Sequence, residues 1–201
     1  MPYIFEFKIN HRIVFRAPLI TKRCICDSST GQRCNNKTVI GSPYCWIHLM
    51  NIKHLRIKES NIRNAGKGLF VMDRTAEDNA IIFHRGETII FYHGEIINRD
   101  ELERRYRNKT APYGIQIYQN RFEDAALERG PGSLLNHTTE DNANCEFSIS
   151  RNNKRNPNLN HLIYLKATKN IRNGQELLVS YGSDYRFNER GVEYRTYYGK
   201  L

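Results

Sequence analysis

Two short stretches gather residue types that can do chemistry. The first, KRCICDSSTGQRCNNKTVIGSPYCWIHLM from residue 22 to 50, holds Cys24, Cys26, Cys34, Cys45 and His48 and has almost no core of its own. Thiolate and imidazole are the usual ligands of structural zinc, and such a site supplies folding free energy where hydrophobic burial cannot. Cys45-x-x-His48 can open a short helix that places both ligands on one side. Cys24, Cys34, Cys45 and His48 are assigned to the metal, with Cys26 as an alternate for Cys24. Gly31 and Gly41 allow the tight turns between them. The second stretch, GSLLNHTTEDNANC from Gly132 to Cys145, packs Asn136, His137, Asn142 and Asn144 between apolar segments and has little helical or strand period. Asn and His donate and accept through rigid planar groups. The stretch is therefore either an Asn-rich surface turn or a buried segment that holds something polar.

The bulk of the chain limits what can surround these stretches. Its 201 residues suit one domain of ordinary size with a small appendage. Hydrophobic content of 39% and aromatic content of 11% are enough for a core and argue against disorder. No run approaches the roughly 18 apolar residues of a membrane span, and the N-terminus lacks an apolar signal core. An intracellular protein is expected. Five cysteines, four of them before residue 46, make a poor disulfide framework and a better metal cluster. A net charge of +10 is either a footprint for an acidic partner such as nucleic acid or a solvated basic face.

The elements that must position the two stretches are mostly short strands. Residues 3–9 alternate as a strand, and 12–16 pair with it across a tight turn at Asn10-His11. Gly66-x-Gly68 precedes an apolar run. It lacks the third glycine and following helix of a dinucleotide fold, and reads as a loop where backbone approaches a ligand. Residues 87–97 read as a buried strand pair interrupted at His93-Gly94. Asn98 with Glu101 reads as a capping box opening a short helix. Strands follow at 113–119, 146–149 and 162–167. The loop RNNKRNPNLNH between the last two is either a phosphate contact or a solvated hairpin tip. A turn at Asn173-Gly174 leads to a strand ending in Tyr181-Gly182. The tail from 183 carries Tyr185, Phe187, Tyr194, Tyr197 and Tyr198 with so little period that it reads as a lid.

The order of these motifs resembles the SET domain of protein lysine methyltransferases. The matching residues are Gly66-x-Gly68-Leu69-Phe70; Gly86-Glu87 with Tyr92-x-Gly94-Glu95; Tyr113; Asp124-Ala125; Asn136-His137 with Asn144-Cys145; and Gly174-x-Glu176-Leu177 ending in Tyr181-Gly182. Together they span about 55–182. The resemblance implies a mainly β fold with short helices, a β-clip of small sheets. In it the Asn-His segment passes beneath the loop ending in the tyrosine, a pseudoknot of the kind chains usually avoid. Burial of 132–145 follows from that arrangement. Residues 1–54 would form an N-terminal hairpin and zinc knuckle, 55–182 the SET domain, and 183–201 an aromatic lid.

Function is implied in the same way. Ala65, Gly66 and Lys67 would line the S-adenosyl-L-methionine pocket with backbone groups. Asn136 and His137 would hold the cofactor, and Tyr113 would sit at its amino-acid end and methyl group. Tyr181 would point its hydroxyl into the channel where lysine meets the methyl, with Tyr92 in the wall and Tyr185 or Phe187 as cover. No cysteine follows Cys145, so the tail would close the site without the zinc cluster found after many SET domains. That layout is similar to compact, virus-encoded members acting in a host cell. Val179 stands where the residue two before the tyrosine is tied to methyl number, and leaves that number open. The implied substrate is a basic protein, a histone above all, met in the nucleus on chromatin, with nucleosome or DNA contact through the basic surface. A non-histone substrate, or a non-catalytic relative binding peptide or nucleic acid, are the alternatives. A lysine-rich substrate calls for an acidic groove, for which Glu123, Asp124, Glu128, Glu140 and Asp141 are the candidates.

Overall fold

A computed structural model describes residues 3–27, 30–38, 42–150, 162–183, 185–187 and 189–197. The basic loop 151–161, with Gly41 and Tyr198, lies outside the described residues. The described chain is built of short strands and two helices. The strands are β1 (Ile4–Ile9), β2 (Arg12–Pro18), β3 (Leu55–Glu59), β4 (Lys67–Val71), β5 (Ile81–Phe83), β6 (Thr88–Phe91), β7 (Glu95–Asn98) and β8 (Gly114–Tyr118). They continue with β9 (Arg121–Asp124), β10 (Asn136–His137), β11 (Cys145–Ser150), β12 (Leu162–Ala167), β13 (Ile171–Arg172), β14 (Leu178–Val179) and β15 (Val192–Tyr197). The helices are α1 (Trp46–Lys53) and α2 (Arg99–Tyr106).

The strands form six small sheets: β15-β1-β2, β10-β14, β11-β12-β6, β13-β5, β3-β4 and β7-β9-β8. Asn10 and His11 turn the β1–β2 hairpin with φ of 49° and 64°, the left-handed pair that matches strand twist. β6 and β7 are separate strands of different sheets, not the pair that 87–97 suggests: β6 pairs with β12 and β7 with β9. The tail is likewise no bare lid. Its distal half is β15, which runs antiparallel to β1 from Val192 against Ile9 to Tyr197 against Ile4. Alternation is hidden there because β15 is an edge strand, and Glu193, Tyr194 and Arg195 are all exposed.

Two apolar clusters carry the fold. Leu49, Leu55, Leu69, Val71, Leu135, Leu165, Ile171, Leu177 and Val179 are buried together, so α1, β3, β4, β12 and β14 share one core. Phe5, Phe7, Phe15 and Tyr106 make a second, through which the β1–β2 hairpin covers α2 and Tyr113. Each such side chain contributes about 1.5–3 kcal/mol on burial. At α2, the Asn98 side chain accepts from the Glu101 amide at 2.9 Å, the first half of a capping box. The Glu101 carboxylate binds Arg104 and Arg105 instead of completing it.

Only part of 132–145 is buried. Gly132, Leu135, Ala143 and Cys145 are, whereas 139–142 form an exposed turn. The crossing itself is made by β10 and β14, a parallel pair with Asn136 opposite Leu178 and His137 opposite Val179. Thr138 N–H donates to the Val179 carbonyl at 2.9 Å, and Asn144 N–H to that of Leu178 at 3.1 Å.

Candidate active site

Leu135 to His137 and Ser180 to Tyr181 meet where β10 lies beside β14. The Tyr181 amide donates to His137 Nδ1 at 3.1 Å, and the Tyr181 hydroxyl donates to the Leu135 carbonyl at 2.5 Å. Three aromatic rings then close on Tyr181: His137 at 5.3 Å, Tyr185 at 4.8 Å and Phe187 at 5.8 Å, the last nearly parallel at 12°. Phe187 also lies 4.4 Å from the His137 ring. Sequence leaves Tyr185 and Phe187 as alternatives, and both pack on Tyr181.

Tyr181 faces a cavity of about 870 Å³ whose lining includes Tyr92, Tyr113, Leu135, Phe147 and Tyr185. The Tyr92 hydroxyl donates to the Tyr113 carbonyl at 2.5 Å. Burial raises the phenol pKa of Tyr92, Tyr181 and Tyr185 above the ordinary tyrosine value. These three phenols are therefore neutral at physiological pH. They can desolvate and accept hydrogen bonds, but none of the three is a phenolate base.

Of the residues expected to hold a cofactor, Tyr113 and Tyr185 line the cavity, whereas Ala65, Gly66, Lys67, Asn136 and His137 lie outside its lining. Asn136 Nδ2 donates to the Lys67 carbonyl and to Glu176 Oε1, both at 3.1 Å. Glu176, 6% exposed, also accepts from Ser60 Oγ at 2.6 Å and the Asn61 amide at 2.8 Å. One carboxylate thus ties the 60–68 turn to β10 and β14. The two glycines of the Gly-x-Gly loop sit in different settings. Gly66 takes φ of +73°, but the close approach at Gly68 is to Glu176, whose Oε1 would lie 2.2 Å from an added Cβ. Ala65 N–H bonds within the turn to Ile62, and the Gly66 carbonyl accepts from Ser60. The Lys67 ammonium pairs with Glu59, so only its carbonyl reaches Asn136. Asn144 adds a clamp: Nδ2 donates to the Glu176 carbonyl at 2.8 Å and Oδ1 accepts from the Leu178 amide at 2.9 Å.

Of the five candidates for an acidic groove, only Glu140 lies in the cavity wall. Glu123 and Asp124 are buried in β9. Asp124 accepts from Arg105, from the Tyr106 hydroxyl at 2.7 Å and from the Ala126 amide, and Glu123 accepts from the Gly94 amide at 3.0 Å. Glu128 pairs with Lys22 and His93. Asp141 is exposed but is not part of the cavity wall; Glu140 is, together with Glu146. Charge alone does not reveal this, because the residues that bury Asp124 come from α2.

The Cys/His stretch closes as expected. One ligand atom from each of Cys24, Cys34, Cys45 and His48 lies within 4.8 Å of all the others. Cys24 Sγ and Cys45 Sγ are 3.4 and 3.3 Å from His48 Nδ1, and Cys34 Sγ is 4.0 Å from Cys45 Sγ. A tetrahedral zinc with its usual bond lengths needs edges of about 3.5 Å (S to N) and about 3.8 Å (S to S), so the donor set fits one. The Cys45 and Asn36 N–H groups point at Cys24 and Cys45 sulfurs. Cys45 caps α1, whose first turn carries His48. Cys26 packs beside the cluster and is more exposed than the other three.

The sheets and the Asn-His crossing define a SET fold, and residues 66–182 match the SET domain family. The chain belongs to that family. It is 33% identical over 109 residues to the N-lysine methyltransferase KMT5A-A of Xenopus laevis, covering 50% of this chain and 30% of that protein. It is also similar to chains of two solved structures. One is ctPRC2 in an autoinhibited conformation bound to S-adenosylmethionine, with 29% identity, a TM-score of 0.52, and 66% of this chain and 16% of that one covered. The other is the Chaetomium thermophilum polycomb repressive complex 2, with 27% identity, a TM-score of 0.52, and coverage of 66% and 16%. The chain thus spans under a third of each of these relatives. Among the described residues no helix is long and apolar enough to cross a membrane.

Proposed function

We propose that the chain is an S-adenosyl-L-methionine-dependent protein-lysine N-methyltransferase whose substrate is a histone tail. The observation that carries this reading is the setting of Tyr181. Its hydroxyl is fixed on the Leu135 carbonyl, its amide on His137, and its ring forms part of a tyrosine-lined cavity. In this reading the 65–68 turn, tied to Asn136, and the aromatic face of His137 and Phe187 would receive the two ends of the cofactor.

When bound, the cofactor supplies a methyl group already activated on a sulfonium. The protein's task is then to orient and desolvate the lysine amine. Tyr92, Tyr113 and Tyr181 form a water-excluding wall, which lowers the amine's pKa and favours its neutral form. With its proton committed to Leu135, the Tyr181 hydroxyl keeps its lone pairs for weak C–H···O contacts. Tyr185 and Phe187 cover the site from the tail. The Cys24, Cys34, Cys45 and His48 cluster takes zinc in a purely structural role. The name of one relative, an N-lysine methyltransferase, supports a lysine substrate, and the reading places the activity on chromatin in the nucleus. The excess positive charge would serve contact with nucleosomal DNA.

The test is methyl transfer from labelled S-adenosylmethionine to nucleosomes, free histones and whole lysate, for wild type and Tyr181→Phe. Label on one histone, falling at least about a hundredfold in the variant, is expected. Label confined to other lysate proteins would move the substrate away from histones. No label and no cofactor binding by calorimetry would overturn the enzymatic reading.

A further inference from the structure

Arg129 is a large charged side chain with only 1% of its surface exposed. A guanidinium in such a place must have its donors met. Its anchors come from distant parts of the chain. Nε donates to the Ala125 carbonyl at 3.1 Å and Nη2 to that of Ala126 at 3.0 Å, both just after β9. Nη1 donates to Thr196 Oγ1 at 3.0 Å, on β15. The guanidinium carbon lies 3.9 Å from the centre of the Tyr113 ring and 5.9 Å from that of Phe5, on β1. Stacking of this kind is a specific property of the planar cation.

Tyr113 is thereby held on several sides. Its carbonyl accepts from the Tyr92 hydroxyl and from the Ala125 amide at 3.0 Å. Its ring meets Phe5 edge-on at 5.9 Å and Tyr194 at 6.2 Å. Two of these ring partners, and the Thr196 hydroxyl, come from the β15-β1-β2 sheet.

We infer that Arg129 is a positioning residue for Tyr113: it fixes the ring in the cavity wall, couples it to β15 through Thr196, and sets a permanent positive charge behind the wall. The inference rests on the lysine-methyltransferase reading of the same cavity. The hairpin and the tail strand then act as the rigid backing of the site. A buried cation also disfavours a protonated amine in the cavity. The other charged side chains on the cavity wall are Lys109, Lys169, Glu140 and Glu146; behind Tyr92, Glu123 and Asp124 act in the opposite sense to Arg129, and Asp124 is paired with Arg105. Lys109 is paired with Glu189, and Lys169 donates to the Asp141 carbonyl.

The experiment compares wild type, Arg129→Lys, Arg129→Met and Thr196→Val in the full chain. The pH profile of kcat/KM is measured on free histones, and fluorine NMR is recorded on 3-fluorotyrosine-labelled protein, with the Tyr113 line assigned from Tyr113→Phe. Arg129→Met should move the Tyr113 line and shift the alkaline-going rise of kcat/KM up by about one pH unit, because the amine regains basicity. Arg129→Lys should move the line but not the pH midpoint. Thr196→Val, the mildest change, should move the line less and lower kcat several-fold at unchanged cofactor affinity. A Tyr113 line unmoved in folded Arg129→Met, or in Thr196→Val should Arg129→Met fail to fold, overturns the positioning role. A lower rate with an unshifted midpoint in Arg129→Met overturns the charge role. A wild type that transfers no methyl overturns the functional reading instead, and the fluorine line then decides the positioning role alone.

Discussion

The backbone amide of Tyr181 donates to the side chain of His137, 44 residues earlier, at 3.1 Å. Nδ1 is the acceptor, so the ring at this bond is the neutral tautomer with its proton on Nε2. The imidazole therefore works as a bracket for the tyrosine loop, while the His137 backbone runs in β10 beside β14. Removing the ring strands a half-buried amide, at a cost of about 1–3 kcal/mol. His137→Ala should lower unfolding stability by that amount and reduce methyl transfer with it. Tyr181→Phe, which removes only the hydroxyl bond to Leu135, should cost about 1 kcal/mol or less while abolishing most activity. Denaturant unfolding and kcat measured on both variants check this separation. Equal losses of stability in the two would contradict it.

The two glycines of the 66–68 loop should behave differently. Gly66→Ala meets no atom within 4 Å but must adopt φ of +73°, a strain of about 1 kcal/mol. Gly68→Ala would drive a methyl into Glu176 Oε1 and against Asn136 Nδ2 at 3.1 Å, displacing the carboxylate that joins Ser60, Asn61 and Asn136. Calorimetric titration with S-adenosylmethionine should therefore show near-native affinity for Gly66→Ala and a loss of tenfold or more for Gly68→Ala. Equal affinities would show that the carboxylate does not shape the site.

What could be read along the chain was what neighbours in sequence decide. The Asn10-His11 turn, the Cys45-x-x-His48 helix start and the order of glycines, Asn-His and Tyr-Gly all have local causes. What could not be read depends on partners far away. Glu123 and Asp124 look like groove carboxylates until Gly94, Arg105 and Tyr106 are seen to bind them. Nothing local marks Arg129 either: one of its anchors, Thr196, lies 67 residues further on. β15 hides its pairing because an edge strand with one exposed face needs no strict alternation.

The Cys/His module should separate ligand from neighbour. Cys24, Cys34, Cys45 and His48 converge, while Cys26 stands outside that set: its carbonyl accepts from the Cys34 amide at 2.8 Å, and its own amide and thiol bond to Cys24. Cys24→Ser, Cys34→Ser, Cys45→Ser and His48→Ala should each lose stoichiometric zinc, measured by elemental analysis. Cys26→Ser should keep it. A strong chelator should raise amide exchange across 22–43 first, because the metal cluster is the main anchor of that stretch, whereas α1 is also held by Leu49 in the main core. Zinc lost from Cys26→Ser and kept by Cys24→Ser would reverse the assignment.

Glu123 sets a pH dependence of stability with a definite sign. It is 6% exposed in β9, and burial raises its carboxyl from 4.5 to about 7 despite the bond from the Gly94 amide. In the unfolded chain it ionises near its ordinary value, so between about pH 4.5 and 7 the folded state binds the extra proton. Stability contributed by this group is thus fully present below pH 4.5 and is lost as pH rises through about 7, a change on the order of 3 kcal/mol. Glu123→Gln keeps the shape and cannot ionise. Urea unfolding of both proteins from pH 4.5 to 8 should show wild type losing stability relative to the variant across that window, then running parallel above it. A difference that is flat with pH, or that grows in favour of wild type, would mean that Glu123 is ionised in the folded chain and that the Gly94 amide outweighs its burial.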